Sequence, residues 1–230
     1  MSDGDDVKTR LLEAAKPHVP FDGWSDATYR AAVKEAGVAP GLARAVFPRG
    51  AIDMALAYHE AGDMEMICRI EETDMSEMRF RDKVAMAVRL RLEAAEDKEL
   101  VRRGMTLFAL PHHAMDGAQA VWRTCDRIWT ALGDSSDDVN WYTKRATLSG
   151  VYGSTVLYWL GDESEDHART WEFLDRRIGD VMQFEKVKAQ AAENRFVSGL
   201  MNGPLSFLNR IKPPNGPHQT GMPGRWSGPG

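Results

Sequence analysis

The sequence predicts an all-α fold, and three observations carry that prediction. Apolar residues recur at helical spacing along nearly the whole chain. No run of alternating β-branched residues occurs, and no Asn-Gly turn joins two apolar runs. With 230 residues and 43% hydrophobic content, the chain can also bury a sizeable core.

The first helix is expected from about Asp5 to Lys16, with acidic residues at its positive end and Pro17 near its stop. Ser25 is a good N-cap for a second helix, and Gly37 a good end signal. A short helix follows from Pro40 to Val46, then a long one from about Arg49 to Thr73. Ser76 opens the next, in which Phe80, Val84, Val88 and Leu92 recur every four residues. Leu100 to Leu110 ends at Pro111, and Ala114 to Leu132 ends at Gly133. Helices from Trp141 to Leu160, Ala168 to about Met182, and about Lys186 to Ile211 complete the set. The Pro/Gly-rich end, PPNGPHQTGMPGRWSGPG, cannot bury a core and is expected to be a disordered tail.

These elements divide the chain into four parts: a helix-turn-helix region at 1–62, a helical bundle at 63–183, an amphipathic helix at 184–212 and a tail at 213–230. The balance of 34 acidic to 29 basic residues disfavours a general affinity for nucleic acid. Cys68 and Cys125 lie far apart and read as small core residues of a reducing compartment. No segment reaches the roughly 18 apolar residues of a membrane span. The acidic start MSDGDDVKTR is unlike a basic presequence, which leads to the expectation of a bacterial cytoplasmic protein. The 12 Met residues suit either core filling or an adaptable apolar ligand site.

Between Gly23 and Ala61, two short helices, a Gly turn and a Phe-Pro corner precede a long helix. The spacing resembles the DNA-reading module of TetR-type regulators. Reading DNA needs polar or basic side chains on the second helix, together with several phosphate contacts. That helix offers Pro40, Gly41, Leu42, Ala43, Arg44, Ala45 and Val46, of which Arg44 alone could reach a base edge. Residues 1–60 hold nine acidic and seven basic side chains, the wrong balance for the roughly 6–10 phosphate contacts of a DNA-binding protein.

Motifs for a phosphate loop and a serine nucleophile elbow are absent, as is the Glu-x-x-His of di-iron bundles. His112 and His113 are adjacent and would point about 100° apart on a helix, so they do not suit one metal. No catalytic residue, metal or cofactor is therefore expected, and the chain is expected not to be an enzyme.

On a helix beginning at Trp141, a core stripe holds Trp141, Leu148, Tyr152, Thr155 and Trp159. Tyr142 lies about 100° away, on a face continued by Ala146, Ser149 and Gly153. Two large aromatics in a charged setting fit a partner-binding hot spot, or else a clamp closing the bundle end. In the final helix, Phe196, Val197, Leu200, Met201, Leu205, Phe207, Leu208 and Ile211 share a half-circle. Basic residues flank that face, which fits a membrane-surface helix or one docked on the bundle. Gly203-Pro204 favours the former, because Pro in a helix interior costs about 3 kcal/mol.

The runs NWYTKRATLSGVY, TWEFLDRRI, LPHHAMDG and VPFDGWSDATYRAA together resemble the Coq-nine family of ubiquinone biosynthesis, from about Val7 to Met182. The resemblance implies a TetR-like fold without DNA binding, an apolar lipid pocket, a C-terminal membrane-binding helix and a di-iron demethoxyubiquinone hydroxylase as partner. It implies a partner-binding patch of Trp141, Tyr142, Ile128 and Ala131; Leu148, Tyr152 and Trp159 of the helical stripe are the residues expected to line the pocket. The expected protein binds an isoprenoid quinone or phospholipid, touches the inner membrane peripherally and forms a homodimer. A ligand-responsive TetR-type transcriptional regulator is the alternative.

Overall fold

The computed structural model describes residues 3–95, 97–136 and 139–193, with side chains from residue 4 to 183. Ten α-helices occur among them: α1 (Asp3–Ala15), α2 (Val19–Asp22), α3 (Asp26–Glu35), α4 (Pro40–Val46) and α5 (Ala51–Glu72). They continue with α6 (Phe80–Glu93), α7 (Lys98–Phe108), α8 (Ala114–Ala131), α9 (Val139–Leu160) and α10 (Ala168–Glu193). The described residues contain no strand, so the expected all-α class holds. The expected membrane helix from Phe196 to Ile211 and the tail lie outside the described residues.

Two compact units divide these helices: Met1–Arg69 with Arg91–Ala120, and Ile70–Leu90 with Val121–Gly230. In the first, α1 packs on α3 and α4, and α2 packs on α7. Ser25 caps α3 as its sequence predicts, its hydroxyl accepting a hydrogen bond from the Thr28 amide at 3.3 Å. The Thr28 hydroxyl donates to the Gly23 carbonyl at 2.6 Å, tying the α2–α3 turn to the helix. Beside it, the buried Trp24 indole donates to the Leu100 carbonyl at 3.1 Å and tilts against Tyr58 at 5.6 Å. Phe47 is 2% exposed and anchors the Phe-Pro corner between α4 and α5. Gly50 then turns the chain with φ 64°, a conformation that suits glycine.

The helix-turn-helix is α3–α4. On α4, Pro40, Gly41, Leu42, Arg44 and Ala45 are exposed. Arg44 is turned back into its own unit, donating to the Pro48 carbonyl at 3.1 Å and lying 5.1 Å from the Tyr29 ring centre.

A buried ion pair joins α5 to the end of α6 within the same unit. Arg91 Nε donates to Asp63 at 2.6 Å, and its Nη2 donates to the His59 carbonyl at 2.9 Å. The two side chains are 6% and 1% exposed. His59 itself lies 3.8 Å from Asp63, one helical turn away on α5. The guanidinium fits because Gly62 has no side chain, and a Cβ there would stand 2.7 Å from Arg91 Nη1.

The structure corrects several boundaries and placements. The helix expected from Ser76 begins at Phe80, because the Asp74 carboxylate takes the Ser76 amide at 3.0 Å and holds a turn there. The expected break between Met182 and Lys186 is absent. With no Pro or Gly in that stretch, α10 continues to Glu193. The short helix α2 was not expected. Cys125 is buried as expected, whereas Cys68 is exposed, and neither forms a disulfide among the described residues.

The Asp63–Arg91 pair generates a stability prediction. Asp63→Ala leaves a buried guanidinium without its carboxylate and is expected to cost about 3–5 kcal/mol, read by urea denaturation. A loss well below 1 kcal/mol would show that Arg91 reaches solvent instead.

Candidate partner-binding surface

The second unit holds the aromatic pair of the sequence. α8 delivers Trp122, Asp126, Ile128 and Trp129, and α9 begins two residues before Trp141. Trp141 and Tyr142 are half-buried, their rings meeting edge to face at 4.8 Å. Trp122 lies beneath them, 7% exposed, with its ring centre 6.1 Å from Trp141 and 6.4 Å from Tyr142. Such tilted contacts suit aromatic quadrupoles. A second aromatic pair, Phe80 at the start of α6 and Trp129 on α8, stacks at 5.7 Å.

A four-charge network underlies this surface. Arg145, 2% exposed, donates through Nε to Asp126 at 2.6 Å. Its Nη1 donates to Asp134 at 3.0 Å and to the Trp141 carbonyl at 3.1 Å. The guanidinium carbon stands 4.0 Å from the Trp141 ring centre. Lys144 donates to the other Asp134 oxygen at 2.7 Å and to the Ser136 hydroxyl at 2.5 Å, and lies 5.4 Å from the Trp129 ring centre. Two cations and two carboxylates balance, which is how charge survives burial. Burial alone would raise the Asp134 carboxyl, but hydrogen bonds from Lys144, Ser136 and Arg145 outweigh it and lower it from 3.8 to about 2.

The structure sorts the expected site residues. Trp141 and Tyr142 come together at the surface, and Ala131 is exposed at the end of α8. Ile128 is 0% exposed, so it packs inside the unit and offers no partner contact there. Leu148, Tyr152 and Trp159 are buried along one stripe of α9, together with Val151, Thr155 and Val156. Trp122 and Arg145 are the members that the stripe reading missed. The signal for Arg145 was its place four residues after Trp141, where a helical side chain lies over the preceding turn.

A cleft of about 470 Å³ opens at the α9–α10 junction, lined by Tyr158, Gly161, Asp162, Glu163, Ser164 and Arg169. None of Leu148, Tyr152 and Trp159 lines it. Its Asp162 caps α10, accepting from the Thr170 amide at 2.9 Å and hydroxyl at 2.6 Å and from the Ser164 hydroxyl at 2.7 Å. Burial pushes that carboxyl up, but the Thr170 and Ser164 donors prevail and hold it well below the usual carboxylate range. His112 and His113 stack edge to face at 4.0 Å. Among the described residues, no group of three or more His, Cys, Asp or Glu is placed to hold a metal, and no helix is long and apolar enough to cross a membrane.

The family model described as COQ9 matches residues 114–185, the stretch that contains this surface. The chain is similar to COQ9 proteins over most of its length. It is 29% identical to a probable ubiquinone biosynthesis protein coq9 of Dictyostelium discoideum, covering 90% of this chain and 68% of that protein. It is 31% identical to COQ9 of Drosophila melanogaster over 81% of this chain and 58% of that one, and 26% identical to human COQ9 over 88% and 67%. The chain thus spans less than two thirds of the fruit-fly relative. Among solved structures, a TetR transcriptional regulator from Nitrosomonas europaea is similar with a TM-score of 0.63 and 19% identity, covering 76% of this chain and 97% of that one. The fold is therefore TetR-like, as the spacing of α3 and α4 implied. The expected bacterial cytoplasmic location is overturned by the relatives' names, each of which describes a mitochondrial protein.

The Asp134 carboxyl gives a pH prediction. Its folded pKa is depressed, so its stabilising contribution is complete above about pH 4 and is lost as pH falls toward 2. The stability of the parent should therefore drop more steeply across that window than that of Asp134→Asn, measured by urea denaturation at stepped pH. Parallel curves would contradict the network.

Proposed function

We propose that the chain serves ubiquinone biosynthesis as a non-enzymatic, lipid-binding accessory protein. In this reading it presents polyisoprenoid quinone intermediates to a di-iron demethoxyubiquinone hydroxylase that docks on the Trp141–Tyr142 surface. The observation that carries the reading is the COQ9 match over residues 114–185, which contains a half-exposed aromatic pair supported by a charge network. Aromatics with a charged rim are the composition of binding hot spots. Leaving a bilayer is slow for a long isoprenoid chain, and an apolar site in a protein that touches the membrane lowers that barrier. The membrane contact is assigned to the Phe196–Ile211 segment on its sequence pattern.

A homodimer belongs to the same proposal. The outer face of α9 exposes Ala146, Thr147, Gly150 and Leu157, and a Cβ at Gly150 or Gly153 would meet nothing within 4 Å. Such a face admits close approach of a second copy.

The TetR-like fold also favours a second reading, a DNA-binding regulator. The bond of Arg44 to the Pro48 carbonyl and the small exposed side chains of α4 weigh against it. Binding to duplex DNA that weakens steeply with salt would support that reading.

Two predictions test the proposal. Tyr142→Ala should weaken hydroxylase binding by at least ~2 kcal/mol, roughly thirtyfold in Kd, with little change in melting temperature. Trp141→Ala, which packs on Trp122, should lose both binding and stability. Parent-like affinity in Tyr142→Ala would refute the docking assignment. Removing residues 186–212 should abolish sedimentation with anionic liposomes, and equal sedimentation of the shortened and full chains would move the membrane contact elsewhere.

A further inference from the structure

Trp141 and Tyr142 stand in the first turn of α9, directly after a loop, where side chains are poorly held by their own helix. A hot spot of large aromatics works best when its rotamers are fixed before the partner arrives, because ordering them on binding weakens the complex. Arg145 is placed to do this. From position i+4 its side chain runs back along the helix, so the guanidinium reaches the Trp141 ring at 4.0 Å and the Trp141 carbonyl at 3.1 Å. Its Nε donates to Asp126 on α8, and Nη1 donates also to Asp134, which follows α8. One planar group therefore joins a helix, a loop and an indole. Tyr142 meets that indole at 79° between ring planes, so the orientation of Trp141 is passed on to Tyr142.

A buried ion network is a weak device for stability, since apolar residues of similar volume often serve as well. Its advantage is directional: a guanidinium fixes geometry in its plane and stacks on its face, which an ammonium cannot do. We infer that Arg145 is the positioning residue of the partner-binding surface, setting the orientation of Trp141 and, through it, of Tyr142. This rests on the docking assignment above and adds to it a residue that the partner never touches.

The test uses the full chain and four variants: Arg145→Lys, Trp141→Ala, Tyr142→Ala and the Arg145→Lys/Trp141→Ala double. Near-UV circular dichroism of the free protein reads the packing of the aromatic cluster, and titration with the hydroxylase reads Kd. Arg145→Lys keeps the charge and is expected to retain far-UV helicity, to alter the near-UV bands and to weaken binding about tenfold. Because it acts through Trp141, the double variant should bind no more weakly than Trp141→Ala alone. Parent-like near-UV bands in Arg145→Lys, or losses that simply add in the double variant, would overturn the inference. If Arg145→Lys does not fold, Asp126→Asn weakens one charge-assisted bond at a partly exposed carboxylate. It should shift the same bands and weaken binding about threefold, and unshifted bands would overturn the inference. Parent-like binding by Tyr142→Ala would instead sink the docking assignment. The near-UV bands of Arg145→Lys would still decide whether Arg145 orients Trp141.

Discussion

A guanidinium that is 2% exposed must find charge and hydrogen-bond partners on every side, and the second unit is organised around meeting that demand for Arg145. Asp126 comes from α8, Asp134 from the connecting loop and the Trp141 carbonyl from the start of α9. Lys144 supplies the charge that Asp134 would otherwise lack on its second oxygen. Satisfying one side chain thus fixes the α8–α9 connection and places three aromatic rings in contact. The apolar stripe of α9 below it, from Leu148 to Trp159, supplies the burial that holds the helix against its unit.

The first unit holds its TetR-like helix pair through an apolar core. The α3–α4 arrangement survives because Trp24, Tyr29, Ala43 and Phe47 are buried in its core, and none of those positions depends on DNA. The other outward positions of α4 are small or apolar, and its exposed arginine donates to the Pro48 carbonyl of its own unit. Fold likeness at 19% identity therefore speaks for architecture, while function follows from what the exposed positions present.

The sequence was legible where a boundary rests on one local residue. Ser25 and Pro40 mark the starts of α3 and α4, and the core stripe of α9 follows directly from its helical period. It was less legible where two local signals compete: Asp74 captures the Ser76 amide, so the apparent cap starts no helix. Sorting a helix by apolarity also hides Arg145, because it assigns an arginine to solvent, and the two carboxylates that hold it lie 11 and 19 residues earlier. The burial of Ile128 was hidden for a related reason. Its assignment came from position in a relative's patch, and position alone does not say which way a side chain near a helix end packs.

Under the proposed function, the α8–α9 junction is a preformed docking surface for the hydroxylase. Hydrogen–deuterium exchange of the full chain, with and without the hydroxylase, tests it most directly. New protection is expected chiefly at the end of α8, the connecting segment and the first turns of α9, with slow exchange already present around Arg145 in the free protein. Protection concentrated on α3 and α4, or none at the α8–α9 junction in a complex shown to form, would contradict it.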